Sequence, residues 1–220
     1  MRNYTSMIDL ALVRVVAPKC DPKFVEPIRK ACVEHDMLTV RRIAAFIAQC
    51  AHESLGFTAL NEVMSYSTAE RIKEIFGKGD AGRARFPTLA SCVPYVKQPE
   101  KLANYVYANR MGNGPPASGD GWRFRGGSPL HVTGKRNWTL FAESIGMPVE
   151  EAMAYARTPE GGMMAAAWFW ESNDINRLAD TPGVADESKA INGGTIGLEQ
   201  RKTLFDKLVG AMLAREKAGG

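Results

Sequence analysis

The chain has 220 residues, of which 45% are hydrophobic and 24% charged, a balance that fits an ordinary globular domain and excludes disordered and fibrous classes. No uninterrupted apolar stretch approaches the roughly 18 to 20 residues that span a bilayer, and no Lys/Arg run forms a nucleic-acid footprint. The net charge of +4 is a modest bias toward acidic surfaces such as a bacterial wall.

The opening run "MIDLALVRVVAPKC" is broken by Asp9 and Arg14. It therefore reads as an amphipathic helix over about 6 to 16 rather than as a secretory signal, which needs an uninterrupted apolar core. A second helix is expected over 23 to 35. In "TVRRIAAFIAQCAHES" the residues Val40, Ile43, Ala44, Ile47, Cys50 and Ala51 repeat at three-four spacing, with Thr39 as N-cap and Gly56 as stop. The same periodicity predicts helices at about 68 to 76, 99 to 110, 135 to 145, 160 to 172 and 198 to 215.

Between them, the segment from 110 to 134 is rich in glycine and proline, and longer than packed helices need for a connection. Such loops are functional or disordered, and Trp122, Phe124, Leu130 and Val132 give this one something to bury. No repeat or linker divides the chain, so residues 1–220 are expected to form one domain. Cys20, Cys32, Cys50 and Cys92 include no CxxC pair, which fits buried free thiols made in a reducing compartment.

The stretch "AQCAHESLGF" places His52 and Glu53 at the end of an apolar helix. The zinc-protease pattern H-E-x-x-H fails at its fifth position, Gly56, and His35, His52 and His131 share no metal-site spacing. A carboxyl at the negative end of a helix dipole, beside apolar side chains, favours its protonated form. That is the property of a general acid. Glycoside hydrolysis pairs such an acid with a second carboxylate, and Glu62 in "TALNEVMSY" is the candidate. The competing reading of Glu53 is a solvated helix-end carboxylate.

Three stretches tip the balance: "FIAQCAHESLGFTALNEVMSYS", "ANRMGNGPPASGDGWRFRGGSPLHVTGKRNW" and "AAAWFWESNDINRLAD" with "INGGTIGLEQR". Together they resemble glycoside hydrolase family 19, in particular its phage-endolysin branch related to chitinases. The resemblance implies a mainly α, lysozyme-like single domain with a substrate groove and no separate wall-binding module. It implies an inverting mechanism with Glu53 as acid, Glu62 as base and Thr133 holding the attacking water, and neither metal nor organic cofactor.

In the same resemblance Tyr66 hydrogen-bonds a catalytic carboxylate, Arg125, His131, Asn137 and Asn192 stand at substrate-side positions, and Arg201 either supports the acidic site or binds sugar. Trp122 is either a sugar-stacking face or a loop anchor. Asn192 is either a sugar contact or a turn residue, and His131 either faces sugar or packs in the loop. The chain departs from the family pattern R-G-R-G-P-L-Q at Gly127, Ser128 and His131, and Trp138 replaces the usual Tyr. The implied substrate is the β-1,4-linked glycan strand of bacterial peptidoglycan. The enzyme would be a monomer, held in the host bacterial cytoplasm until release to the wall. Chitin is the alternative substrate, and a catalytically weakened glycan-binding protein of the same fold is the rival from another class.

Overall fold

The computed structural model describes residues 2–78 and 84–219. These residues are mainly helical, with an isolated antiparallel bridge between Gly127 and Val132. The helices are α1 (Leu10–Arg14), α2 (Val25–Glu34), α3 (Val40–Glu53), α4 (Ala69–Phe76), α5 (Pro99–Val106), α6 (Asp120–Arg123), α7 (Lys135–Ser144), α8 (Val149–Tyr155), α9 (Pro159–Ser172), α10 (Ile175–Ala179), α11 (Ala185–Asn192) and α12 (Leu198–Gly219). Among the described residues no helix is long and apolar enough to cross a membrane.

The chain divides into two compact units that interleave in sequence. The first takes Met1–Leu60, Gly127–Val132 and Glu150–Gly220, and the second takes Asn61–Gly126 and Thr133–Val149. In the first, α3 is the central helix and packs along α12. Thr39 caps it as its spacing predicts, the hydroxyl accepting from the Arg42 N–H at 3.2 Å. Every residue from Ile43 to Ala51 is buried, and Phe46 meets Trp170 of α9 edge-on at 5.3 Å. At about 1.5 to 3 kcal/mol for each large apolar side chain fully buried, this helix is a main source of the unit's stability.

Some helix boundaries differ from the sequence reading, among them that of α12, which runs to Gly219 rather than 215. The expected helix over 6 to 16 shrinks to α1, because Asp9 caps it by accepting from the Leu12 N–H at 2.7 Å. The helix over 23 to 35 splits at its start into a 3-10 turn, Pro22–Phe24, capped by Asp21. The helix expected to reach 110 stops at Val106, and beyond it the backbone turns left-handed at Asn109, whose N–H donates to the Gly114 carbonyl. Helices α6, α8, α10 and α11 were not anticipated.

The second unit has its own core of Met64, Ile72, Phe86, Cys92, Leu102, Ala103 and Val106. The glycine-rich segment is ordered over it. Gly121 of α6 lies so close to α5 that a Cβ there would come within 2.4 Å of the Ala103 carbonyl, so only glycine permits this approach. The Trp122 N–H then donates to the Asn104 side chain at 2.7 Å. The four cysteines are buried and free.

Candidate active site

Glu53 is the last residue of α3, and the chain leaves the helix through a strained turn. Ser54 closes the helix, its hydroxyl donating to the Cys50 carbonyl and accepting from the Phe57 N–H. Leu55, Gly56 and Phe57 follow with φ of 51°, 72° and 67°. A left-handed non-glycine residue costs about 1 to 2 kcal/mol. Burial of Phe57 against Phe24, with ring centroids 5.3 Å apart, helps offset that cost.

The Glu53 carboxylate is held by Arg201 of α12, whose Nη2 donates to Oε1. The Arg201 side chain is 3% exposed and that of Glu53 19%. Arg201 Nη1 donates to Gln49 Oε1 at 2.5 Å, Gln49 Nε2 donates to Ser188 Oγ at 3.1 Å, and Ser188 Oγ donates to the Val184 carbonyl at 2.6 Å. A continuous polar chain thus runs from α11 through α3 and α12 to Glu53. Buried charges persist when paired and hydrogen-bonded in this way. The His131 Nε2–H donates to the Glu53 backbone carbonyl at 3.0 Å, tying down the last turn of α3.

Glu62, in the second unit, is held by neutral donors. The Tyr107 hydroxyl donates to its Oε1 at 2.5 Å and the Gly126 N–H to its Oε2 at 3.0 Å, while the Glu62 N–H donates to the Gly126 carbonyl at 2.9 Å. Burial, with the Glu62 charge beside it, pushes the Tyr107 hydroxyl far above its usual range. Tyr107 therefore keeps its proton and acts as a donor. Two carboxylates, each oriented by fixed partners, are the equipment of acid/base hydrolysis.

No family model matches the chain. A glycosyl hydrolase family 19 domain-containing protein of Haemophilus influenzae is 35% identical over 166 residues, which span 76% of this chain and 78% of that protein. The chain belongs to glycosyl hydrolase family 19. Chitinase C from Streptomyces griseus HUT6037 shares the fold, with a TM-score of 0.59 and 14% identity over 96% of this chain and 94% of its own. So does a family GH19 class IV chitinase from Zea mays, with a TM-score of 0.58 and 16% identity over 94% and 93%. The family 19 relationship makes the chain a glycoside hydrolase and agrees with the mainly α fold expected from its sequence.

Tyr66 is engaged otherwise than expected, whereas Asn192, His131 and Arg201 each take one of the two alternatives that the sequence left open. Among the described residues Tyr66 makes no hydrogen bond to a carboxylate. Its ring packs edge-on against Phe76 at 5.6 Å, and Tyr107 takes the bond to Glu62 instead. Burial, with the nearby Glu62 charge, raises the Tyr66 hydroxyl pKa as well. Asn192 closes its own turn, accepting from the Gly194 N–H at 2.9 Å and donating to the Ile196 carbonyl at 3.3 Å. His131 grips the α3 terminus rather than standing open to sugar, in a left-handed backbone with φ of 51°. Arg201 is buried on Glu53 and supports the acidic site rather than a sugar.

In the second unit, Asn137 Nδ2 donates to the Thr133 carbonyl at 2.9 Å, and Thr133 is half-buried at the entrance to α7. Arg125 lies flat on Trp122, its guanidinium carbon 3.7 Å from the ring centroid and its Nη1 donating to the Trp122 carbonyl at 2.8 Å. One face of that indole is thereby covered. Among the described residues no group of three or more acidic, His or Cys side chains is placed to hold a metal.

Sequence reasoning missed Gln49, Tyr107 and the Gly126 N–H. Gln49 had a signal. It is the polar member of an apolar stripe, one helical turn before Glu53 on the same face.

Proposed function

We propose that the chain is a peptidoglycan-degrading endolysin that hydrolyses β-1,4 bonds between N-acetylated amino sugars with inversion. Glu53, in its protonated form, gives its proton to the glycosidic oxygen as that bond to the anomeric carbon breaks. Glu62 takes a proton from the water whose oxygen bonds to that carbon from the opposite face. Afterwards Glu53 is ionised and Glu62 protonated, and exchange with solvent restores both. Arg201 stabilises the anion that Glu53 becomes, while the two neutral donors orient Glu62 without adding a charge.

The observation favouring peptidoglycan over chitin is the distribution of charge. In the second unit twelve Lys and Arg stand against seven Asp and Glu, whereas the first has sixteen against seventeen. The unit that carries Glu62 is thus the basic one, which suits a strand bearing carboxylates and gains nothing on neutral chitin. Four buried free thiols suit a monomer accumulating in the reducing host cytoplasm, to be released to the wall in the manner of the phage endolysins its motifs resemble.

Digestion of purified peptidoglycan, with mass spectrometry of the products, tests the reading. New reducing ends on N-acetylmuramic acid or N-acetylglucosamine support it and name the linkage. An intact wall alongside hydrolysed chitin would assign a chitinase, and binding without turnover on either substrate would assign the glycan-binding rival. NMR of the first-formed anomer tests inversion, which net retention would exclude.

A further inference from the structure

The excess charge of the second unit gathers around one short segment. From Asp120 to Trp138 the chain carries Arg123, Arg125, Lys135 and Arg136 against a single carboxylate, Asp120. The Asp120 side chain is 10% exposed and accepts from the Gly114 N–H at 2.9 Å. Three of the cations rest on two rings. Arg125 lies over Trp122 at 3.7 Å, and Arg123 and Lys135 lie 4.9 and 6.0 Å from the Phe124 centroid. Lys135 Nζ also stands 3.6 Å from Asp120 Oδ2. Arg123, Lys135 and Arg136 are exposed, and Arg125 is half-buried.

A cationic head seated over an aromatic face is restrained there by the ring. The segment thus presents positioned cations rather than freely swinging ones. Its backbone is also the anchorage of Glu62, because Gly126, the residue after Arg125, both donates to and accepts from that residue. We infer that this cationic strip is a specificity determinant that binds the carboxylates of an anionic glycan strand and so favours peptidoglycan over neutral chitin. The inference rests on the proposed function and assigns its substrate preference to particular side chains. A guanidinium pairs with a carboxylate through two parallel hydrogen bonds, and a strand whose alternate sugars carry lactyl groups and acidic peptides offers such partners at regular intervals.

The test is the double variant Arg123→Gln, Arg136→Gln. Both side chains are exposed, and an unchanged melting temperature confirms the fold. Arg125 is left alone because its guanidinium also bonds the Trp122 carbonyl. Three probes are compared at low salt: intact sacculi, glycan strands stripped of peptide by an amidase, and neutral chitohexaose.

The ratio of kcat/KM on sacculi to that on chitohexaose should fall about tenfold or more in the variant. The parent's advantage should fade as added salt screens the charges. Loss on sacculi alone assigns the strip to peptide carboxylates, and loss on the stripped strands as well assigns it to the lactyl groups. An unchanged ratio overturns the inference. Co-sedimentation with sacculi reads the strip without turnover. If the parent hydrolyses none of the probes, the proposed function fails, yet salt-sensitive binding that the variant loses still supports the strip. Equal sedimentation of parent and variant, or none by either, overturns it.

Discussion

The two units hold their carboxylates by opposite means. In the first, Glu53 meets a buried guanidinium that is itself fixed by Gln49 and, through it, Ser188. In the second, Glu62 meets a tyrosine hydroxyl and a backbone N–H, neither of which carries a charge. The unit with the charged clamp is nearly neutral overall, and the unit with the neutral clamp is basic. The difference suits the two roles proposed for them. An acid that becomes an anion benefits from a cation at hand, whereas a base that starts as an anion and becomes neutral is best held by dipoles that do not oppose its protonation.

The largest effect should come from removing the acid. Glu53→Gln keeps the shape and can still accept from Arg201, but it has no proton to deliver. Hydrolysis of peptidoglycan should fall by about 10²- to 10⁴-fold or more, with the fold retained. Glu62→Gln should be comparably damaging while sparing glycan binding, as measured by co-sedimentation. Parent-like turnover by either variant would remove that residue from the mechanism.

The first unit contains a second buried carboxyl with a different fate. Glu187 of α11 is 1% exposed, and no other described residue donates a hydrogen bond to its oxygens. Burial pushes its pKa from 4.5 to about 7; its own backbone N–H and Arg41 oppose the rise, and the adjacent Asp186 adds to it. Folding therefore favours its protonated form. Below the unfolded value the group is neutral in both states and costs nothing. As pH rises toward 7 the unfolded chain ionises first, so stability falls, and above the folded value the loss is complete. The gap corresponds to about 3 kcal/mol. In Glu187→Gln that pH dependence should vanish, so urea unfolding at pH 5 and pH 8 should show the variant gaining on its parent by about that amount. Parallel profiles would mean that Glu187 titrates as it does in the unfolded chain.

How far the sequence foretold these arrangements depended on whether the signal was local. Helix α3 was readable because a capping threonine and a three-four apolar repeat agree over fourteen residues. Glu53 and Glu62 were singled out because a helix end and a motif marked them. The clamps were less visible. Tyr107 reaches Glu62 across 45 residues of sequence and Arg201 reaches Glu53 across 148, distances over which no periodicity operates; Arg201 was noticed only because a motif carried it. Helix α10 is likewise fixed by tertiary bonds, with Trp170 donating to Asn176 at 3.0 Å and Asn176 to the His35 carbonyl at 2.9 Å. Helix α6 depends on Gly121, which the sequence offered only as one glycine among many in a loop.

Tyr107→Phe sharpens the comparison in the second unit, because it removes one of the two neutral donors and nothing else. A hydrogen bond to a charged group is worth about 1.5 to 3 kcal/mol, so kcat should drop roughly 10- to 100-fold while KM changes little. The bond orients the base rather than the sugar. A rise in KM at constant kcat would instead make Tyr107 a substrate contact.

The smallest effect belongs to the first unit's Gly127–Val132 segment. Ser128 stands where the family pattern has glycine. Its φ is 71°, its side chain is fully buried, and among the described residues its hydroxyl has no hydrogen-bond partner. A left-handed L-residue costs about 1 to 2 kcal/mol, and an unsatisfied buried hydroxyl adds a penalty of similar size. Ser128→Gly relieves both, although glycine gives back part of the gain through the greater freedom of the unfolded chain. The net expectation is a stabilisation of about 1 to 2 kcal/mol, or about 2 to 8 °C in Tm for a chain of this length. Because His131 lies three residues on and holds the end of α3, the same variant also reports whether the strain has a function. If Ser128→Gly raises Tm and leaves kcat intact, the strain is incidental. If it raises Tm and lowers kcat, the strained segment helps set the position of Glu53. A fall in Tm would show that the serine makes a compensating contact and that the strain argument is wrong.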